Sequence, residues 1–351
     1  MAKKTKEINV GGVRLGGGNP VVIQSMTNTP TQDIEKTLGQ IQRLAQAGCQ
    51  LVRLAVPDEA AARALKILCA RSPVPLVADI HFDYRLALLA VEAGIAKIRI
   101  NPGNIGGEER VRQVARACRA AGVPIRIGVN SGSVERDLLE RYGGPVPQAL
   151  VESALRHVAL LEKYGFDDIC LSLKSSRVVD TIAAYEQMSD ACDYPLHLGV
   201  TEAGGARLGL IKSAIGIGSL LAKGIGDTIR VSLTDDPVEE VRAVQDILKA
   251  LDLHESGVTV ISCPTCGRTQ IDLMRIAREV EERTAPFRQK WTVAVMGCAV
   301  NGPGEARQAD FGIAGGRGEG LVFRRGEILC KVPQEHLVDA LLEQLRRADQ
   351  E

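Results

Sequence analysis

The sequence predicts an α/β chain, a (β/α)8 barrel followed by a small α+β domain. Between about residues 20 and 235, eight short β-branched runs alternate with longer Ala/Leu-rich amphipathic segments, at spacings of about 20 to 45 residues. Open doubly wound sheets more often stop at about five to seven strands. The length of 351 residues suits a barrel plus a smaller unit, and the pattern changes near residue 257, where cysteines at metal-ligand spacing begin.

The eight predicted strands begin at Pro20, Leu51, Leu76, Lys97, Pro124, Asp168, Pro195 and Asp227, with Pro or Gly before several of them marking boundaries. Asp236-Pro-Val-Glu-Glu-Val-Arg-Ala-Val reads as the last barrel helix, with proline in its first turn. The division falls at 1–256 and 257–351. In the second part the pattern predicts a strand at 258–262, a helix at 270–284 and a strand at 292–296. A Gly-rich stretch to 320, a strand at 328–332 and a closing helix at 335–347 follow.

Parallel barrel strands normally read as nearly continuous apolar runs. These alternate. Ile98 and Ile100 share one face while Lys97, Arg99 and Asn101 share the other, and Arg126, Gly128 and Asn130 oppose Ile125, Ile127 and Val129. Arg53, Asp79 with His81, Ser172 with Lys174, His197 with Gly199 and Thr201, and Arg230 with Ser232 repeat the arrangement on other strands. The apolar face suits the helix ring, so the polar face points into the barrel or its C-terminal mouth. There, unpaired cations cost several kcal/mol each. Asp79 and Glu202 do not match Arg53, Arg99, Arg126, Lys174 and Arg230, whereas a diphosphate would. Internal salt bridges explain any one such arginine, but less readily five cations on different strands. Asp79 and His81, beside Asn101, Asn130 and Glu202, suit hydroxyl binding or proton handling. The glycine turns at 128–133 and 202–207 can offer N–H groups to phosphate or simply be turns.

Cys263 and Cys266 lie in Ser-Cys-Pro-Thr-Cys-Gly, and Cys298 follows after 31 residues. This is a metal set one ligand short, with Glu305, seven residues past Cys298, the candidate fourth ligand. A zinc ribbon needs a second Cys pair, and Cys298 has no Cys or His close behind it, although Cys330 remains a possible fourth thiolate. Three thiolates and a carboxylate suit a 4Fe-4S cluster with one exchangeable position. The other cysteines, Cys49, Cys69, Cys118, Cys170 and Cys192, read as small hydrophobes.

Lys plus Arg and Asp plus Glu are 43 each, so nothing global favours nucleic acid or an anionic membrane, and no apolar run reaches membrane-spanning length. Nine scattered cysteines fit a reducing compartment, so the expectation is a cytoplasmic, soluble protein.

Several motifs resemble the hydroxymethylbutenyl diphosphate synthase family of the non-mevalonate isoprenoid pathway, in its two-domain bacterial form. They are Gln24-Ser-Met-Thr-Asn-Thr, Val77-Ala-Asp-Ile-His-Phe-Asp-Tyr-Arg, Arg99-Ile-Asn-Pro-Gly-Asn-Ile-Gly, Arg126-Ile-Gly-Val-Asn, Leu198-Gly-Val-Thr-Glu-Ala-Gly-Gly-Ala-Arg, Cys263-Pro-Thr-Cys and Gly297-Cys-Ala-Val-Asn-Gly-Pro-Gly-Glu. The resemblance spans nearly the whole chain. It implies reductive ring opening of 2-C-methyl-D-erythritol 2,4-cyclodiphosphate, with electrons from ferredoxin or flavodoxin. It also implies a 4Fe-4S cluster on Cys263, Cys266, Cys298 and Glu305. Arg53, Arg99, Arg126, Lys174, Arg230 and Ser232 would grip the diphosphate. Asp79, His81, Asn101, Asn130, Thr201 and Glu202 would surround the carbon skeleton, with Glu202, His81 and Glu305 the candidate catalytic groups. The family further implies a head-to-tail homodimer. The competing expectations are a zinc-ribbon binding protein on a barrel scaffold and a barrel enzyme for another phosphorylated ligand.

Overall fold

The computed structural model describes residues 4–101, 103–298 and 306–350, which fall in two compact units divided after Leu253. The first opens with a hairpin, β1 (Ile8–Val10) and β2 (Val13–Leu15), turned by Gly11 and Gly12 at φ +56° and +96°. Eight parallel strands follow: β3 (Val22–Met26), β4 (Leu51–Ala55), β5 (Leu76–Asp79), β6 (Lys97–Ile100), β7 (Ile125–Asn130), β8 (Ile169–Lys174), β9 (His197–Leu198) and β10 (Thr228–Ile229). Neighbours pair from β8 back to β3, then β10 and β9, and the bridge Leu171–Leu196 closes the ring. This is the eight-stranded barrel the alternation predicts.

Nine helices accompany the strands among the described residues: α1 (Ile34–Gln46), α2 (Glu59–Arg71), α3 (Tyr84–Glu92), α4 (Glu108–Ala121), α5 (Arg136–Tyr142), α6 (Pro147–Glu162), α7 (Val178–Ala191), α8 (Ala206–Ala222) and α9 (Pro237–Ala250). Aspartates start several: Asp58 Oδ1 accepts from the Ala61 N–H at 2.8 Å before α2, and Asp236 Oδ1 accepts from Val238 N–H at 2.9 Å before α9. Outward strand residues Val52, Leu54, Ile98, Ile100, Ile125 and Ile127 pack with Leu65, Leu68, Val111 and Leu161 of the helices in one buried core. The apolar face thus meets the helix ring, leaving the polar face inside.

Two features depart from the sequence expectation. The last two barrel strands are much shorter than the predicted 195–201 and 227–232, because after Arg230 N–H donates to Leu198 C=O at 3.0 Å the ladder stops, and Glu202 already sits at φ +52°. The hairpin went unread, although Ile-Asn-Val-Gly-Gly-Val-Arg-Leu carries the alternation and glycine pair that signal one. Its Ile8, Val10 and Leu15 bury against Val22, Leu51, Val77 and Cys170, the first inward residues of four strands, and so cap the N-terminal end of the barrel.

Among the described residues the second unit is a five-stranded sheet with two α-helices. β11 (Val258–Ser262), β12 (Trp291–Met296) and β13 (Phe311–Gly315) run parallel, and β14 (Glu319–Arg324) and β15 (Glu327–Pro333) complete it antiparallel. Ile276 and Val280 of α10 (Leu273–Thr284) and Leu341 and Leu345 of α11 (Leu337–Gln350) pack on Val293, Val295, Phe311 and Ile313. The Gly-rich stretch concealed β13 and β14. Gly318, at φ +76°, turns between them, but the strand glycines serve packing: a Cβ on Gly312 would collide with the Phe323 ring, and one on Gly320 would lie 2.7 Å from Leu337. Among the described residues no helix is long and apolar enough to cross a membrane.

The capped barrel floor is testable. Val10→Asp places an unpaired carboxylate against Val22, Leu51 and Val77, and should cost about 3 kcal/mol or more by chemical denaturation. An unchanged unfolding midpoint would show that the hairpin does not seal the floor.

Candidate active site

The inward faces of the strands converge on a cavity lined by Arg53, Asp79, His81, Arg99, Arg126, Asn130, Ser172, Lys174, Thr201, Arg230 and Ser232. Its empty volume is ≈ 470 Å³, part of it open to solvent at the mouth. Apart from Arg126, near the start of β7, the lining comes from the middle and C-terminal parts of the strands and the loops just beyond them, the face where barrel enzymes carry their chemistry. All eleven lie on the inward polar faces that the alternation marks; Ser172 alone carries no assigned role in the sequence reading.

Two glycines make the arrangement possible. A Cβ on Gly128 would lie 2.5 Å from Arg99 Nε, and one on Gly199 would lie 2.7 Å from Lys174 Nζ. Each inward glycine is the space that a neighbouring strand's cation fills.

Asp79, nearly buried, is the electrostatic hub. Arg99 Nη1 donates to its Oδ1 at 3.1 Å, Arg53 Nε lies 3.6 Å from its Oδ2, and His81 Nε2 lies 3.5 Å from the same oxygen. Burial alone would raise its pKa, but Arg53, the His81 hydrogen bond and Arg99 outweigh that and hold the carboxyl far below the carboxylate range. Two of the remaining cations lack such a partner. Among the described residues neither Arg126 nor Lys174 has an ion pair, and Arg126 Nε and Nη1 are buried without hydrogen bonds. Burial, followed by the neighbouring arginines, drives Lys174 well below its ordinary range, and burial with the adjacent Arg99 brings Arg126 down to about 10.

Arg230 departs from the expected charge count. Its Nε and Nη2 each donate at 3.1 Å to the carboxylate of Glu240, a residue 3% exposed in the first turns of α9. The internal counter-charges are therefore Asp79 and Glu240, not Asp79 and Glu202. Glu202 is exposed at the mouth, outside the cavity lining, with its backbone in the left-handed region. The signal for Glu240 was present: it falls on the buried stripe of α9 with Pro237, Val241, Val244 and Leu248, where a charge needs a partner. Asn101 also lies outside the lining; it is buried, and its Oδ1 accepts from Gly103 N–H at 3.0 Å.

Deeper in the barrel, Lys97 and His197 are fully buried, and neither Lys97 Nζ nor His197 Nε2 has a hydrogen-bond partner. Burial, reinforced by Arg126 and Arg53, pushes Lys97 down to about 8. His197 is driven well below its ordinary value by burial and then by Arg126, Lys174 and Lys97.

In the second unit Cys263 follows β11 directly, and Cys298 follows β12, its parallel neighbour, so both leave the same edge of the sheet. Gly297 N–H donates to Cys263 Sγ at 3.2 Å. Cys266 lies in the turn between, where Thr269 N–H donates to Cys266 C=O at 3.0 Å and Cys266 N–H donates to Thr269 Oγ1 at 3.2 Å. All three thiols are free. Among the described residues no three ligand side chains gather tightly enough for a single metal ion. A cubane cluster is a larger body whose ligands reach different irons, and three thiols leaving one sheet edge, one already receiving a backbone N–H, suit that donor set. Glu305 lies outside the described residues.

Fold and cavity together define a (β/α)8-barrel enzyme whose mouth is built for a compact, multiply charged anion. The model of the GcpE TIM-barrel domain matches residues 5–245, and that of the GcpE protein C-terminal domain matches 259–347. A curated relative from Caldanaerobacter subterraneus subsp. tengcongensis is 58% identical, covering 99% of this chain and 98% of its own. Another, from Clostridium perfringens, is 59% identical over 97% of each. Both are named 4-hydroxy-3-methylbut-2-en-1-yl diphosphate synthase (flavodoxin). The chain belongs to the GcpE family. Among solved structures, Yersinia pestis dihydropteroate synthase aligns with a TM-score of 0.51 at 15% identity, covering 70% of this chain and 98% of that one. Type I 3-dehydroquinate dehydratase from Clostridium difficile gives 0.51 at 14%, with 71% and 98% covered. These two likenesses concern the barrel fold alone.

The depressed Lys97 fixes a pH dependence. Its folded value of about 8 lies below the ordinary 10.5, so its burial penalty is full below pH 8 and fades as pH rises toward 10.5. Lys97→Met should therefore stabilise the ligand-free protein by on the order of 3 kcal/mol at pH 7, with the gain shrinking above pH 8. Denaturation midpoints across pH 7 to 10 check this; a gain that does not vary with pH would assign the effect to packing instead.

Proposed function

We propose that this chain is a 4-hydroxy-3-methylbut-2-enyl diphosphate synthase that opens the ring of 2-C-methyl-D-erythritol 2,4-cyclodiphosphate. Two electrons and two protons enter and one water leaves. The observation that carries the reading is the cavity in which five cations face only two buried carboxylates, inside a chain whose relatives carry that name.

In this reading Arg99, Arg126 and Lys174 take the diphosphate as paired and point-charge donors, with Arg53, Arg230 and Ser232 completing the cradle. The dianion supplies what Arg126 and Lys174 lack, so binding removes mutual repulsion as well as forming hydrogen bonds. Asn130 and Thr201 orient the carbon skeleton, with Asn101 behind them. Loss of a hydroxyl as water needs a proton at that oxygen. His81, half-exposed and tethered to Asp79, and Glu202 at the mouth are the groups placed to move it.

Cys263, Cys266 and Cys298 would hold a 4Fe-4S cluster, with Glu305 as the fourth ligand. When bound, the cluster supplies electrons one at a time and a site of Lewis acidity. Flavodoxin or ferredoxin is the donor, flavodoxin being the one in the relatives' names. A homodimer completes the reading, supported by exposed Leu208, Ile211 and Ile215 along one face of α8. The zinc-ribbon alternative finds no support in these relatives, and the reducing cytoplasm is the compartment such chemistry requires.

Anaerobically purified protein should be brown with about four irons per chain and should convert the cyclodiphosphate when supplied with reduced flavodoxin. Cys298→Ser should lose the cluster, whereas Glu305→Ala should keep part of it and lose turnover. Colourless protein with stoichiometric zinc, or iron-loaded protein that leaves the cyclodiphosphate intact, would sink the assignment.

A further inference from the structure

We infer that Glu240, a helix residue behind the barrel wall, is a positioning residue for substrate capture: it holds Arg230 at the angle from which the guanidinium meets the anion. The inference rests on the cavity being the diphosphate site.

The need for such a residue follows from the ladder. Arg230 and Ser232 line the cavity but lie beyond the end of β10, which has only two paired residues. Among the described residues, after the Arg230 N–H bond to Leu198 no backbone bond ties this extension to β9 itself, and the next one on this side is the long Thr234 N–H bond to Gly204 C=O at 3.4 Å, beyond Ser232. A long side chain on an unpaired segment would lose much rotamer freedom on binding a ligand.

Glu240 replaces the missing ladder with side-chain bonds. Its Oε1 accepts from Leu233 N–H at 3.2 Å, fixing the segment past Ser232, and from Arg230 Nη2 at 3.1 Å. Its Oε2 accepts from Arg230 Nε at 3.1 Å and from Ser25 Oγ of β3 at 2.9 Å, tying the extension to the strand on its other side. One carboxylate thus joins α9, β3 and the β10 extension. The fork of Arg230 is oriented edge-on, leaving Nη1, which lies 3.5 Å from Met26 Sδ, on the side away from the carboxylate. Met26 Sδ also accepts from Arg53 Nε at 3.0 Å, so the two arginines approach one soft acceptor that a phosphate oxygen would readily displace.

Because Glu240 cancels the charge of Arg230, its contribution is directional. Removing it frees a cation, so a merely electrostatic account expects tighter anion binding, and a positioning account expects weaker binding. The two predictions have opposite signs.

The test is a double-mutant cycle on the full-length, cluster-loaded enzyme using Glu240→Gln, Arg230→Met and the double variant. Binding of inorganic pyrophosphate is measured by calorimetry, and KM and kcat for the cyclodiphosphate separately. Glu240→Gln should weaken pyrophosphate binding and raise KM by about tenfold, with kcat changed less than threefold; in the Arg230→Met background the same change should have almost no further effect. Ser25→Ala, which removes the tie to β3 but keeps the Arg230 bonds, should weaken pyrophosphate binding less than Glu240→Gln does, and a far-UV circular dichroism spectrum of Glu240→Gln that matches wild type shows that the variant folds. Tighter pyrophosphate binding in Glu240→Gln, or an equal loss in both backgrounds, would overturn the positioning role while leaving the cavity assignment standing. If Arg230→Met binds pyrophosphate and substrate normally, the cavity assignment falls and the role of Glu240 falls with it.

Discussion

An excess of positive charge confined inside a barrel is the constraint around which the rest of this structure is arranged. Arg53, Arg99, Arg126, Lys174 and Arg230 share one small cavity, with Lys97 beneath them, and only Asp79 and Glu240 answer them from within. The outward strand residues, Ser25 apart, are apolar because the wall must be stabilised from its other side, by Ile, Leu and Val packed under the helices. The hairpin that caps the floor keeps water from screening the cations from below. The free barrel therefore holds electrostatic strain that an anion of the right shape relieves.

The two carboxylates do different work. Asp79 gathers Arg53, Arg99 and His81 from three consecutive strands and keeps their relative positions. Glu240 reaches in from a helix and stitches an edge that the backbone leaves open. What remains unanswered, Arg126 and Lys174, is the share left for a ligand. Gly128 and Gly199 belong to the same design, because a methyl group at either would evict a cation.

Much of this was legible before any coordinates. Period-two alternation exposed the inward cations, because a charge placed every second residue on a barrel strand has only one direction in which to point. The cysteine spacing and the Gly-Pro-Gly-Glu run marked the second unit. Less legible was anything that depends on a partner distant in sequence. Glu240 read as one more acidic residue in a helical first turn, since its meaning lies in Arg230 and Ser25. The glycines of β13 and β14 read only as a Gly-rich stretch, because their real partners, Phe323 and Leu337, are side chains that a local pattern does not include. The ends of β9 and β10 were overestimated because apolar alternation continues past the point where the ladder stops.

Those short strands have a mechanical consequence. β7 and β8 are paired over six residues, whereas β9 and β10 sit side by side with two residues each. Local opening costs least where backbone bonds are fewest, so the ring is stiff on one side and compliant on the other. Arg126 and Lys174 stand on the stiff side, while Thr201, Arg230 and Ser232 stand on the compliant one. On the function proposed above, an anion would be registered against the fixed wall, and the other wall, held by the side-chain bonds of Glu240 rather than by a ladder, would be the one to adjust as a strained ring becomes a longer chain.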